Sequence, residues 1–182
     1  MNVLVACEFS GIVREAFSRR GHNAWSCDFL PTEIPGNHIQ GNIMDLGIGG
    51  WDLMIAHPPC TYLASSGARW WETRQVEQRK AIYFFMWLWQ LPIPHICIEN
   101  PIGIMSTTFR KSDQIIQPYQ FGHGEIKSTC LWLKNLPLLK PTNLVAGREP
   151  RVWKEPPSKD RWKNRSRTYQ GIADAMAEQW GD

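Results

Sequence analysis

No run of this 182-residue sequence approaches the roughly 18 unbroken apolar residues of a membrane span. Its most apolar stretch, 81–91, is too short. Residues 1–7 lack a basic leader and a cleavage site, so no secretion signal is expected. Cysteine is sparse and scattered: Cys7, Cys27, Cys60, Cys97 and Cys130 form no C-x-x-C pair, and their odd number argues against a disulfide framework or structural zinc. G-x-G-x-x-G and G-K-[ST] are also missing, so pyrophosphate or triphosphate binding is not indicated. Internal repeats and low-complexity tracts are absent. These absences predict a cytoplasmic protein that uses no metal and no membrane.

What is present has an uneven distribution. The net charge is only +3, yet residues 148–167 hold eight basic side chains against three acidic ones, with Trp153 and Trp162 among them. Residues 2–7 read as a buried strand, with contiguous Val3, Leu4, Val5 and Ala6. Ser10 is a candidate N-cap, Val13, Ala16 and Phe17 share a helical face, and Gly21 is a plausible stop. Further strands are expected at 23–27, 38–43, 52–56, 95–98 and 127–133, a long helix at 72–91 and a final one at 171–180. Residues 135–163, rich in proline and charge, read as loop. Alternating strands and helices predict an α/β fold, a doubly wound and mainly parallel sheet. Ligands of such sheets bind at the carboxyl ends of the strands. Four polar clusters fall there: 8–11, Asp28, 57–60 and 99–101.

Each cluster suggests chemistry. Phe9-Ser10-Gly11 between a strand and a helix suits a nucleotide-type cofactor, because glycine permits close backbone approach and a helix start offers free N–H groups. Asp28 is placed to hold ribose hydroxyls. Pro58 and Pro59 stiffen the chain before Cys60, which exposes and fixes the thiol. His57, Arg69 and Arg74 are candidates to lower its pKa. The other four cysteines read as small buried hydrophobes. Glu99, after a buried strand, is a candidate acid with a raised pKa. A thiolate and an acid together suit addition to C6 of cytosine: the thiolate makes C5 enamine-like while the acid neutralises charge at N3. The base must then leave its stack.

In order and spacing these residues resemble the C5-cytosine DNA methyltransferase family, over about residues 1–133. Phe9-Ser10-Gly11 resembles its first cofactor motif, Pro59-Cys60 with Gly67 its nucleophile motif, and Glu99-Asn100 its Glu-Asn-Val motif. Phe121-Gly122 with Lys127 and Thr129 resembles its Tyr-Gly-x-Pro-Gln-x-Arg-x-Arg segment, and 169–180 is similar to its last cofactor-side helix. The resemblance implies the S-adenosylmethionine-dependent, Rossmann-like methyltransferase fold. It implies Cys60, Glu99, Lys127 and Thr129 as catalytic residues and Phe9, Ser10, Gly11, Asp28, Asn42 and Pro58 around S-adenosylmethionine. Thr61, Ala64, Asn42, Lys127 and Thr129 depart from the family's usual residues.

The expected organisation is a catalytic core over 1–134, a reduced recognition segment over 135–167 and a closing helix over 168–182. Arg69, Arg74, Arg151, Trp153, Arg161, Trp162, Arg165 and Arg167 are the candidate nucleic-acid contacts. Phosphate contact without reading of base edges predicts a short sequence context or none. Residues 67–79 are expected to form either a lid or a packed helix start. The leading expectation is a DNA cytosine-5 methyltransferase of phage type acting on duplex DNA. Two alternatives stay open: the same chemistry on free dCMP, single-stranded DNA or RNA, and a decayed methyltransferase fold that only binds nucleic acid.

Overall fold

The structure, a computed structural model, describes residues 1–181. Seven strands form one sheet: β1 (Asn2–Ala6), β2 (Asn23–Asp28), β3 (His38–Gln40), β4 (Leu53–Ala56), β5 (His95–Pro101), β6 (Gln114–Ile116) and β7 (Thr129–Lys134). Their spatial order is β3-β2-β1-β4-β5-β7-β6. The first five run parallel, and β7 is antiparallel to both β5 and β6. The helices are α1 (Ile12–Arg19), α2 (Gln75–Gln90), α3 (Met105–Thr108), α4 (Arg151–Lys154), α5 (Arg161–Ser166) and α6 (Gln170–Trp180).

Strand alternation divides the core. Val3, Val5, Leu53, Ile55 and Cys97 face α1 and α6, packing on Val13, Phe17, Ile172 and Met176. Leu4, Met54, Ala56, Ile96 and Ile98 face the opposite way, toward Phe85 and Leu88 of α2 and the buried Trp132. Helices therefore cover both faces, as the alternating sequence pattern predicts. From β1 the chain winds outward to β2 and β3, then returns to β4 on the other side of β1. The strand order reverses between β1 and β4, the place where such sheets open a crevice for ligands.

Several local expectations need correction. Ser10 does not begin α1: Gly11 is the N-cap, in the left-handed region at φ 76°. An added Cβ there would collide with the Arg14 guanidinium and crowd Ile34, so this glycine is required by the protein's own packing. Gly21, also left-handed, follows the end of α1 as expected. The third strand stops at Gln40, and α2 starts only at Gln75 because two 3-10 turns, Ser65–Trp70 and Glu72–Arg74, precede it. β5 continues through Pro101 because β7 pairs with it from Ile96 to Pro101, so Glu99 lies within a strand. Cys27, Cys97 and Cys130 are buried as expected. Cys7 is not: it turns the chain out of β1 with φ 59° and is half-buried. Residues 135–163 are not simply loop. Asn143 and Glu149 bridge to Phe121 and Glu125, and α4 and α5 follow.

Candidate active site

The site is assembled at the carboxyl ends of β1, β4 and β5. His57 follows β4, where its N–H donates to the Ala6 carbonyl at 2.9 Å. Alternation puts its side chain on the same sheet face as Glu99 of the neighbouring β5. His57 Nδ1 and Glu99 Oε2 are 2.7 Å apart, and both side chains are nearly buried. Asn100 points to the other face, where its Nδ2 donates to the Pro58 carbonyl at 2.8 Å. That bond ties β5 to the rigid turn before Cys60. The Cys60 carbonyl then accepts from Leu63 and Ala64, closing the turn.

The nucleophile loop is also clamped to the chain beyond β5. Ser65 N–H donates to the Ile102 carbonyl and Ile104 N–H to the Leu63 carbonyl, both at 2.9 Å, and Ala64 bridges Gly103. At Gly103 an added Cβ would fall on the Leu63 carbonyl, so only glycine admits this approach.

Electrostatics differ from the sequence expectation for both candidate catalytic groups. Burial alone would raise the Glu99 pKa, but the His57 hydrogen bond, the charge of His57 and Lys127 together hold it below the usual carboxylate range. The resting residue is a carboxylate, not the protonated acid expected. Cys60 is exposed as a residue. Partial desolvation by the surrounding protein nevertheless pushes its thiol up, and Glu99 adds to this. Lys127 and Arg165 pull it down without prevailing. These are the cations that act on Cys60, in place of the expected His57, Arg69 and Arg74. His57 is engaged by Glu99 instead.

The cofactor-side residues lie beside β1 and β2. Glu8, in the 8–11 cluster but given no role by the sequence, is buried, and its Oε1 and Oε2 accept from the N–H groups of Val13 and Arg14 at 2.7 and 3.2 Å. Ser10 Oγ donates to Glu8 and accepts from Ile12 N–H. The start of α1 thus spends donors on its own carboxylate and hydroxyl, not on a ligand. Burial raises the Glu8 pKa against the opposing effects of His57, these two N–H donors and Ser10. A glutamate five residues before a helical N–H gives no standard capping signal, so this role is not legible in the sequence. Asp28 is half-buried with a raised pKa caused by desolvation, and one of its oxygens accepts from Leu30 N–H. Phe29 beside it is 73% exposed. Asn42 caps a 3-10 turn by accepting from Met44 N–H.

The 148–167 segment folds back over the strand ends. Trp162 of α5 meets Phe9 at 6.0 Å between ring centroids. Lys127 Nζ donates to the Arg165 carbonyl at 2.9 Å. Arg167 pairs with Glu33 through two hydrogen bonds and lies over the Phe9 ring. Arg151 pairs with Glu125, and Arg161 donates to the Glu155 carbonyl. Trp153 remains well exposed. Thr129 is buried and donates to the Lys127 carbonyl, a bond internal to its own turn. Arg74, Trp70, Trp71, Thr61, Tyr62 and Gly67 line a cavity of about 280 Å³ beside the nucleophile loop, and Arg69 lies over Trp70. Neither Cys60 nor Glu99 lines it. Among the described residues, no group of three His, Cys, Asp or Glu is clustered as metal ligands, and no helix is long and apolar enough to cross a membrane.

No protein-family model matches the chain, and no curated protein matches it. Among solved structures, the crystal structure of a DNMT2 triple mutant from Spodoptera frugiperda is similar at 16% sequence identity and a TM-score of 0.49. The similarity covers 82% of this chain and 55% of that one, so this chain spans little more than half its length. A likeness at this depth leaves function to be argued from the site.

Proposed function

We propose that the chain is an S-adenosylmethionine-dependent methyltransferase that modifies C5 of cytosine in DNA through a covalent bond from Cys60. The observation that carries this reading is one juxtaposition. An open thiol on the turn after β4 and a nearly buried carboxylate near the end of the adjacent parallel β5 are joined through the Asn100–Pro58 hydrogen bond, and the carboxylate raises the pKa of the thiol.

The residues at the ends of β1 and β2 suit a cationic sulfonium cofactor better than a phosphate-bearing one. Their polar groups are carboxyls, Glu8 and Asp28, and the α1 start that would hold an anion is already filled by Glu8. Asp28 would hold ribose hydroxyls, the exposed Phe29 ring offers a stacking face, and Phe9 and Pro58 supply apolar wall. S-adenosylmethionine, when bound there, supplies an electrophilic methyl group. Cys60, exposed, gives its proton to solvent, and the thiolate adds to C6 as Glu99 relays a proton to N3. Lys127 and Arg165 favour the thiolate. After C5 is methylated, the C5 proton passes to solvent, the thiolate departs with the S–C6 pair, and N3 returns its proton to Glu99, which restores the aromatic ring.

A second substrate reading, free dCMP, single-stranded DNA or RNA, is favoured by the internal bonds of Arg151, Arg161 and Arg167, which leave less basic surface for a duplex. Both readings are tested by presenting labelled S-adenosylmethionine with duplex DNA, single-stranded DNA, RNA and dCMP. Expected are 5-methylcytosine in DNA by nucleoside mass spectrometry, with little sequence context. DNA containing 5-fluorocytosine should form a covalent adduct that Cys60→Ser abolishes. Binding without transfer to any substrate would leave only a decayed, nucleic-acid-binding fold, and transfer by Cys60→Ser would refute the nucleophile.

A further inference from the structure

At the strand ends one imidazole meets a carboxylate and acts on a second carboxyl from the strand on its other side. His57, after β4, meets Glu99 of β5 at 2.7 Å through Nδ1. Glu8, after β1 on the other side, interacts with His57 electrostatically. Carboxylate oxygen only accepts, so His57 Nδ1 carries the hydrogen that Glu99 receives. His57 Nε2 is buried and has no hydrogen-bond partner in the structure. A buried polar nitrogen without a partner is costly.

Glu99 also presents a difficulty that His57 resolves. A group that protonates N3 must hold a proton when the thiolate adds, yet His57 and Lys127 keep Glu99 ionised at rest. The hydrogen that Glu99 already accepts is the one on His57 Nδ1.

We propose that His57 is a positioning residue that stores the proton Glu99 delivers to the substrate ring and takes it back afterwards. The inference rests on the cytosine reading above. As the sulfur–C6 bond forms, the C5–C6 π pair moves through the ring toward N3. N3 takes a proton from Glu99 and Glu99 takes one from His57 Nδ1; the proposed relay starts with a hydrogen on both ring nitrogens of His57 and leaves it with one. After methyl transfer C5 gives its proton to solvent, that C–H pair becomes the C5–C6 π bond, the sulfur leaves with the S–C6 pair as thiolate, and the proton on N3 returns through Glu99 to His57. The relay itself consumes no proton. The charged and titratable groups around it are Glu8 after β1, Lys127 before β7, Arg165 on α5, and the thiols Cys60, Cys97 and Cys130, each of which Glu99 influences.

The test compares full-length wild type with His57→Asn, whose amide nitrogen replaces Nδ1 as a donor but cannot give up its proton. His57→Gln is the second variant should the first not fold. Expected are unchanged melting and DNA affinity, and single-turnover methyl transfer slowed roughly a hundredfold, the scale of general acid catalysis. The pH–rate profile should lose one limb. Loss of the imidazolium charge should move the Glu99 carboxyl titration upward, read by 13C NMR. An active wild type matched by His57→Asn in rate and profile would overturn this inference alone. A wild type that transfers methyl to no cytosine substrate would overturn the cytosine reading and this inference with it.

Discussion

At the scale of the residue, Glu8 shows how one side chain replaces a local signal. Its carboxyl holds two helix N–H groups and the Ser10 hydroxyl inside the protein, so α1 starts without a side-chain cap from its own N-cap residue. Glu8→Ala leaves these donors buried and unpaired, and should cost about 2 kcal/mol of stability in urea unfolding. The cost has a defined pH dependence. Burial raises the Glu8 pKa in the folded state. A carboxyl raised on folding contributes most below its unfolded pKa and loses that contribution as pH rises through the folded value. The gap between wild type and Glu8→Ala should therefore be wider at pH 5 than at pH 8. A gap that widens with rising pH would contradict this assignment.

At the scale of elements, the nucleophile turn is positioned by its contact with the chain beyond β5. Ala64 and Gly103 lie side by side, with backbone hydrogen bonds on either side of them. Gly103→Ala places a methyl against the Leu63 carbonyl. Backbone on backbone cannot relax by a rotamer change, so the turn must shift. Expected are a destabilisation of about 1–3 kcal/mol and a larger proportional loss of methyl transfer than of cofactor affinity, because the displaced segment carries Cys60. Equal losses in both would show that the clamp serves folding alone. The same scale explains the basic segment. Charge and tryptophan along 148–167 suggest an open nucleic-acid face, yet Glu33 and Phe9 draw Arg167 and Trp162 back over the cleft.

At the scale of the whole molecule, the antiparallel edge is held by an interaction distant from the site. Asp113 accepts from the Arg110 guanidinium through both oxygens and from Leu133 N–H, fixing the approach of the chain to β6 against the end of β7. Partial burial raises its pKa, but these donors together outweigh it and leave the carboxyl below its ordinary value. A carboxyl depressed on folding contributes above its unfolded pKa and loses that contribution as pH falls through the folded value. Asp113→Asn should cost about 1 kcal/mol at pH 7, modest because the pair is a third exposed. It should also flatten the acid limb of stability below pH 4, an approximate bound set by the ordinary aspartate value. A cost that persists unchanged at pH 2 would assign the effect to packing instead.

The sequence by itself determined the parallel half of the sheet, because contiguous buried residues such as Val3 to Ala6 and Leu53 to Ala56 can lie only inside a two-sided layer. It also determined that the polar clusters follow those strands, and so that Glu8, Asp28, His57 and Glu99 meet at one end. Only tertiary structure decided the protonation of the site. The pairing of β5 with β7 carries Glu99 inside a strand, alternation turns it toward His57, and the imidazole makes a carboxylate of the expected acid. Burial and hydrogen bonding across strands set a pKa, and neither is a property of neighbours in sequence. The closure of α5 over Phe9 depends likewise on Glu33 and Arg167, partners 134 residues apart, which no local pattern brings together.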